Sequence, residues 1–143
     1  MTRPRTVASE LLDVLLLTTR AFRRQLRRVR PPIEITQWAL LKRIAEGPST
    51  MSALARHNAT SLPTISKSVG MLVRRGWVER SADLSDRRQM RVRLTAGGRR
   101  LLGTIRGNSE EVIAGRVAAL TQEERNRLMS SLTRLTEVLA EEE

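Results

Sequence analysis

Ser61-Leu62-Pro63-Thr64-Ile65-Ser66-Lys67, running on through Arg74-Arg75-Gly76, Trp77-Val78-Glu79-Arg80 and Asp86-Arg87-Arg88 to Val92-Arg93-Leu94-Thr95, is the stretch whose reading decides the fold. A helix is predicted from about Leu62. The Ser61 hydroxyl can accept one of the backbone N–H groups left free at a helix start, and Pro63 falls in a first turn, where a missing donor costs nothing. Ile65, Val69, Leu72 and Val73 recur at i, i+4, i+7 and i+8, which predicts one buried stripe with Pro63, Thr64, Ser66 and Lys67 facing outward. Gly76 is a helix stop, and Trp77–Ser81 and Gln89–Leu94 read as two strands around a loop that carries Asp86, Arg87 and Arg88. A helix followed by a basic hairpin is the winged helix-turn-helix arrangement, with a helix end suited to a major groove and a cationic wing suited to phosphates or a minor groove.

The rest of the chain sets the context of that unit. Its 143 residues fit one domain by size, with a formal charge of +11 that is unevenly spread. Residues 1–30 carry eight arginines against two acids, residues 81–100 six against two, and residues 101–143 five against eight. A basic middle and an acidic tail suit a protein that lays one side on a polyanion. Arginine greatly outnumbers lysine, which fits bidentate phosphate recognition and equally a compositional bias of the genome. Cysteine is absent, which excludes disulfides, thiol redox sensing and cysteine metal sites. No signal-peptide core follows the first residues, and Val7–Leu17 is too short and too often interrupted to span a bilayer, so the expectation is a cytoplasmic protein without membrane contact.

Working outward, residues 6–28 read as a long amphipathic helix with Ala8, Leu11, Leu12, Leu15, Phe22 and Leu26 on one face and Arg20, Arg23, Arg24, Arg27 and Arg28 on the other. That cationic face is either simply solvated or a long-range attractor for DNA. Residues 33–46 form a second predicted helix with Ile35, Trp38, Leu41 and Ile44 or Ala45 inward. Trp38 suits core packing, and it also sits where a small apolar or aromatic effector can stack. Ser49 or Thr50 caps a short helix ending at His57, a lone histidine with no ligand cluster around it and so an exposed helix end rather than a metal site. Asn58-Ala59-Thr60 makes the turn, with Asn58 the residue best able to adopt a left-handed conformation.

Thr95 can cap a helix from Ala96 to about Leu120, whose glycines and Asn108-Ser109 predict a bend or a close helix approach near Gly103 to Ser109. Thr121-Gln122-Glu123-Glu124 is a capping box opening a last helix, with Leu128, Leu132, Leu135 and Leu139 on one face and fraying expected at Glu141 to Glu143. These terminal helices carry more apolar surface than a DNA-binding lobe of residues 33–100 can cover. Burial against a second copy is the simplest resolution, with Leu11, Leu15, Leu128, Leu132, Leu135 and Leu139 at the seam. The expected fold is therefore mainly α with a small β-hairpin wing, one domain over 1–143, in which 6–30 and 101–143 are the helical dimerisation region. A homodimer would also let two recognition helices read a pseudo-palindrome on double-stranded DNA.

Two other functional classes fit the sequence less well. The charge alone suits a sequence-tolerant architectural DNA-binding protein, although the polar, partly neutral recognition face exceeds what charge coating needs. Nothing suggests an enzyme or a bound cofactor: there is no Cys, no Tyr, one His, no glycine-rich phosphate loop and no carboxylate pair in an apolar setting.

Ile35-Thr36-Gln37-Trp38-Ala39-Leu40-Leu41, Leu54-Ala55, Ser61 to Ser66, Leu72 to Gly76, and above all Asp86-Arg87-Arg88 with the downstream Leu94-Thr95, resemble the MarR (multiple antibiotic resistance regulator) family over about residues 33–102. The resemblance implies a dimeric transcription regulator, a repressor released by a small-molecule effector. It implies that Pro63, Thr64, Ser66 and Lys67, following the Ser61 cap, face the major groove. Arg88 would be the wing-tip residue in or near the minor groove and Arg87 a source of phosphate attraction. Asp86 would hold the wing through an arginine partner, and an effector cavity would lie near Trp38. The absent cysteine argues against the peroxide-sensing branch, and the lone histidine against the metal-sensing one. Glu34, Ala59 and Leu84 depart from the residues frequent in the family, which are a capping Ser or Thr, a Gly and a Pro.

Overall fold

A computed structural model describes residues 1–140, so the fraying expected at Glu141 to Glu143 lies outside the described residues. The elements are α1 (Pro4–Arg28), α2 (Ile35–Ala45), β1 (Ser49–Thr50), α3 (Met51–His57), α4 (Leu62–Arg74), β2 (Val78–Ala82), β3 (Met90–Leu94), α5 (Ala96–Val117) and α6 (Gln122–Ala140). Six helices and one antiparallel sheet in the order β1-β3-β2 make a winged helix fold. Two compact units divide the chain, Met1–Ser109 and the segment from Glu110 onward.

The first unit holds the core. Leu26, Ile33, Leu40, Leu41, Ile44, Leu54, Ile65, Val69, Leu72, Val78, Val92, Leu94 and Ile105 are buried together, each contributing about 1.5–3 kcal/mol through removal of apolar surface from water. Leu40 joins this core where the expected stripe had a gap, whereas Ala45 is exposed and Ile44 is the inward residue. Ile33 packs ahead of α2, with its N–H bonded to Leu26 at the end of α1. The helix itself starts at Ile35, where Gln37 Oε1 accepts the Glu34 N–H at 3.1 Å. Glu34 therefore stands at a working helix start.

Several local expectations need correction. Asn58 is not the left-handed residue of the turn: it lies at φ −89°, and Ala59 takes φ +46°. The Asn58 side chain instead donates to the Leu54 carbonyl, leaving the next residue to reverse the chain. Val73 is 37 % exposed, so the buried stripe of α4 is Ile65, Val69 and Leu72. The strands begin one residue later than expected. Gly76, at φ +71°, donates to Val73 and Trp77 donates to Leu72, a Schellman cap that holds Trp77 in the helix stop rather than in β2. Gln89 is likewise engaged with the Asp86 carbonyl before β3 starts. The two-residue β1, which pairs with Val92 and Arg91, was not foreseen.

Helix α5 runs unbroken through Gly103 to Ser109 and stops at Val117, with Ala119 and Leu120 in turn hydrogen bonds to Arg116 and Val117. The close approach belongs to Gly98 instead. A Cβ there would sit 2.1 Å from the Trp77 carbonyl oxygen, a distance no side chain tolerates. Thr95 fixes the same junction: its hydroxyl donates to the Gly76 carbonyl at 2.6 Å and accepts the Gly98 N–H at 3.0 Å.

In the second unit, α6 opens with the capping box. Glu124 Oε2 accepts the Thr121 N–H at 2.7 Å, and Thr121 Oγ1 accepts the Glu124 N–H at 3.3 Å. The Thr121 backbone and hydroxyl donors together hold the Glu124 carboxyl below its ordinary value. Leu128, Leu132 and Leu139 on this helix are exposed and Leu135 is half-buried.

Candidate nucleic-acid interface

The N-terminus of α4 is built by Ser61. Its Oγ lies 2.8 Å from Thr64 Oγ1 and accepts the Thr64 N–H at a long 3.4 Å, so the first turn is held by two side chains rather than one. With Ile65, Val69 and Leu72 anchored in the core, the helix is rotated so that Ser61, Leu62, Pro63, Thr64, Ser66 and Lys67 are all exposed. This end presents hydroxyls, an ammonium, and backbone N–H groups at the positive pole of a 13-residue helix. Small hydroxyl side chains can hydrogen-bond base edges or phosphate oxygens without holding the backbone away from them.

The wing is the β2–β3 hairpin, paired from Val78 opposite Leu94 to Ala82 opposite Met90. Val78, Val92 and Leu94 hold its base in the core. The loop is organised by two aspartates in different ways. Asp83 is 7 % exposed and takes the arginine: its Oδ2 accepts Arg91 Nε at 2.6 Å, while Oδ1 accepts the Ser85 N–H at 2.9 Å and the Ser85 hydroxyl at 2.8 Å. The Ser85 N–H, the Arg91 guanidinium and the Ser85 hydroxyl hold the Asp83 carboxyl down to about 2. Asp86, expected to be the arginine's partner, makes no ion pair among the described residues and instead accepts the Arg88 N–H at 3.0 Å. The carboxylate that latches the wing to an arginine is thus Asp83, which the Asp83-Leu84-Ser85 spacing, suited to an Asx turn, could have signalled. Arg91 also reaches the Pro48 carbonyl at 3.4 Å, tying the wing to the residue just before β1.

Arg87 and Arg88 are exposed at the loop and make no ion pair among the described residues. Leu84, which stands where the MarR family often has a proline, is fully exposed beside them as an apolar tip. One further ion pair, Arg93 Nε to Glu79 Oε1 at 2.5 Å, crosses the strands in solvent and adds little stability.

Trp38 packs edge-on against Phe22 with ring centroids 4.6 Å apart, and it lies partly buried against the core. A cleft of about 660 Å³ opens elsewhere in the first unit, lined among others by Ile44, Leu94, Ala96, Arg99 and Leu102, and Trp38 is not part of it. Among the described residues no cluster of His, Asp and Glu has metal-ligand geometry, and no helix is long and apolar enough to cross a membrane.

Residues 35–98 match a family model described as a winged helix DNA-binding domain. An HTH-type transcriptional regulator of Mycobacterium bovis, Mb0904, is 31% identical over 126 residues, covering 86% of this chain and 88% of that protein. Among solved structures, a MarR family protein from Bacillus stearothermophilus superposes with a TM-score of 0.81 at 23% identity, covering 98% of this chain and 99% of the other. FabT of Streptococcus pneumoniae, solved in complex with DNA, gives 0.75 at 22% identity over 99% and 100% of the two chains.

Proposed function

The chain belongs to the HTH-type transcriptional regulators with a winged helix DNA-binding domain, and from that premise we propose that it is a MarR-type homodimeric repressor of pseudo-palindromic operators, released by a small-molecule effector, a reading that its likeness in fold to a MarR family protein supports. In this reading Ser61, Pro63, Thr64, Ser66 and Lys67 enter the major groove, Arg88 reaches the minor groove, Arg87 neutralises phosphate and Asp86 shapes the turn that presents them. FabT, which shares this fold, was solved on DNA. The observation that carries the proposal is the exposed polar end of α4 on the same compact unit as two unpaired wing arginines.

Residues 6–30 and 101–143 supply the dimer interface in this proposal, with 33–100 as the reading lobe. Leu12, Leu16 and Leu17 of α1 are 61 %, 61 % and 63 % exposed, and Leu11 and Leu15 beside them are also open. Together with Leu128, Leu132, Leu135 and Leu139 they are the apolar faces that a second copy would cover. Two dyad-related α4 helices must lie about one DNA turn apart to engage both half-sites. An effector favouring another spacing weakens binding with a coupling of about 1–3 kcal/mol. The rim of Trp38 is the proposed contact for such a molecule, an apolar or aromatic one.

A titration against the DNA upstream of the protein's own gene and against scrambled DNA of equal length, at several salt concentrations, tests this. Specific readout gives a preference of about a thousandfold or more that persists as salt rises. Equal affinities that fall together with salt would favour the sequence-tolerant architectural reading, for which the +11 charge is the supporting observation.

A further inference from the structure

The turn that ends α4 is also where α1 and α5 are attached to it. Arg75, the C-cap residue of α4, donates from Nη1 to the Pro32 carbonyl at 2.9 Å, spanning 43 residues to the segment that follows α1. Its guanidinium simultaneously lies 5.0 Å from the centroid of the Trp77 ring. The next residue, Gly76, offers its carbonyl to the Thr95 hydroxyl, and the Trp77 carbonyl accepts the Thr95 N–H at 3.1 Å and abuts Gly98 at the start of α5. The α5 attachment is thus made by backbone and by a capping hydroxyl, and is rigid. On the α1 side, beyond the apolar core that Leu26 and Ile33 share with α4, the hydrogen-bonded link from this turn is made by one long side chain. Elsewhere, Gln37 of α2 reaches Met71 of α4 through a weak nitrogen to sulfur contact at 3.0 Å.

The geometry points to Arg75 as a positioning residue that fixes the angle of the recognition helix to α1, and so sets which half-site spacing the protein accepts. A guanidinium suits the task because its planar fork donates along the edge while its face packs on an indole. Without it the C-terminal end of α4 keeps its Schellman cap and its core stripe but loses its tie to the α1–α2 connection. The inference rests on the dimer proposed above, because only a dimer converts a helix angle into a spacing.

The test uses DNA selected by the full-length protein from a random library, remade with one or two base pairs added to or removed from between the half-sites, and a version with one half-site scrambled. Wild type, Arg75→Ala and Arg75→Lys are titrated against all of them, and their thermal unfolding is followed. The expected result is a wild-type preference of about tenfold or more for the selected spacing that shrinks to within about threefold in Arg75→Ala, with affinity for the single half-site unchanged and Arg75→Lys in between. A merely structural role would lower affinity for every DNA together. If Arg75→Ala keeps the full spacing preference, the inference is overturned. If wild type shows no spacing preference, it is the dimer reading that fails. Arg75→Met, which keeps the packed stem and deletes the donor, takes the place of Arg75→Ala if the latter does not fold.

Discussion

Ala59 holds the turn into the recognition helix at φ +46°, a conformation that costs an L-residue with a Cβ about 1–2 kcal/mol. Ala59→Gly should therefore raise stability, by about 0.5–1 kcal/mol after the extra chain entropy of glycine is deducted, as read from urea unfolding. A less stable variant would mean that the Ala59 methyl contributes packing that outweighs the strain. Asp83 makes a prediction of a different kind. Its carboxyl is held down to about 2 in the folded chain against 3.8 ordinarily, so the folded state favours the ionised form. The stability this provides is complete above about pH 4 and is lost as pH falls toward 2. Asp83→Asn should therefore be less stable than wild type at neutral pH and converge on it in acid, measured by thermal melts across that window. Parallel curves would remove Asp83 from the wing's latch.

Among the elements, α4 was the most legible in the sequence, because a serine cap, a proline in the first turn and a heptad-like apolar spacing all specify the same helix at the same start. Its far end was less legible: Val73 fits the period but falls outside the covered arc, which buries Ile65, Val69 and Leu72. Short-range rules also missed β1, a pair of residues that is a strand only because β3 lies beside it. In the wing the sequence displayed two aspartates among arginines, and which of them is paired depends on strand register, with Arg91 opposite Ser81 and directed back toward Asp83. Because the Arg88 backbone, not its side chain, is bound by Asp86, Arg88→Ala should leave the hairpin folded. Operator affinity should fall about 10- to 100-fold with an unchanged melting temperature, whereas Arg87→Ala should weaken all DNAs alike and reduce the salt slope by about one. Fluorescence anisotropy titrations distinguish the two, and an Arg88→Ala protein with full affinity would take the wing tip out of the mechanism.

For the whole molecule, charge and apolar surface divide along the chain. Arg20, Arg23, Arg24, Arg27 and Arg28 in the second half of α1, and Arg30 just beyond it, are exposed and make no ion pair among the described residues, while the earlier half of the same helix exposes leucines and valines in nearly every direction. The first pattern predicts strong salt dependence of any DNA binding. The second predicts a partner. Leu132→Glu would place a charge in the proposed seam and should weaken self-association at least about a hundredfold, visible by sedimentation, with operator affinity falling alongside it. A variant that sediments as a dimer would locate the interface away from α6. The bare leucines of α1 have one more effect. In the proposed dimer a second copy covers them, so a newly made chain that has not met its counterpart would display the kind of greasy helix that quality-control proteases recognise, and scarcity would shorten the lifetime of the very molecules that are scarce. Gene dosage would then act twice, through synthesis and through survival, and the level of this regulator would respond to copy number more steeply than in proportion.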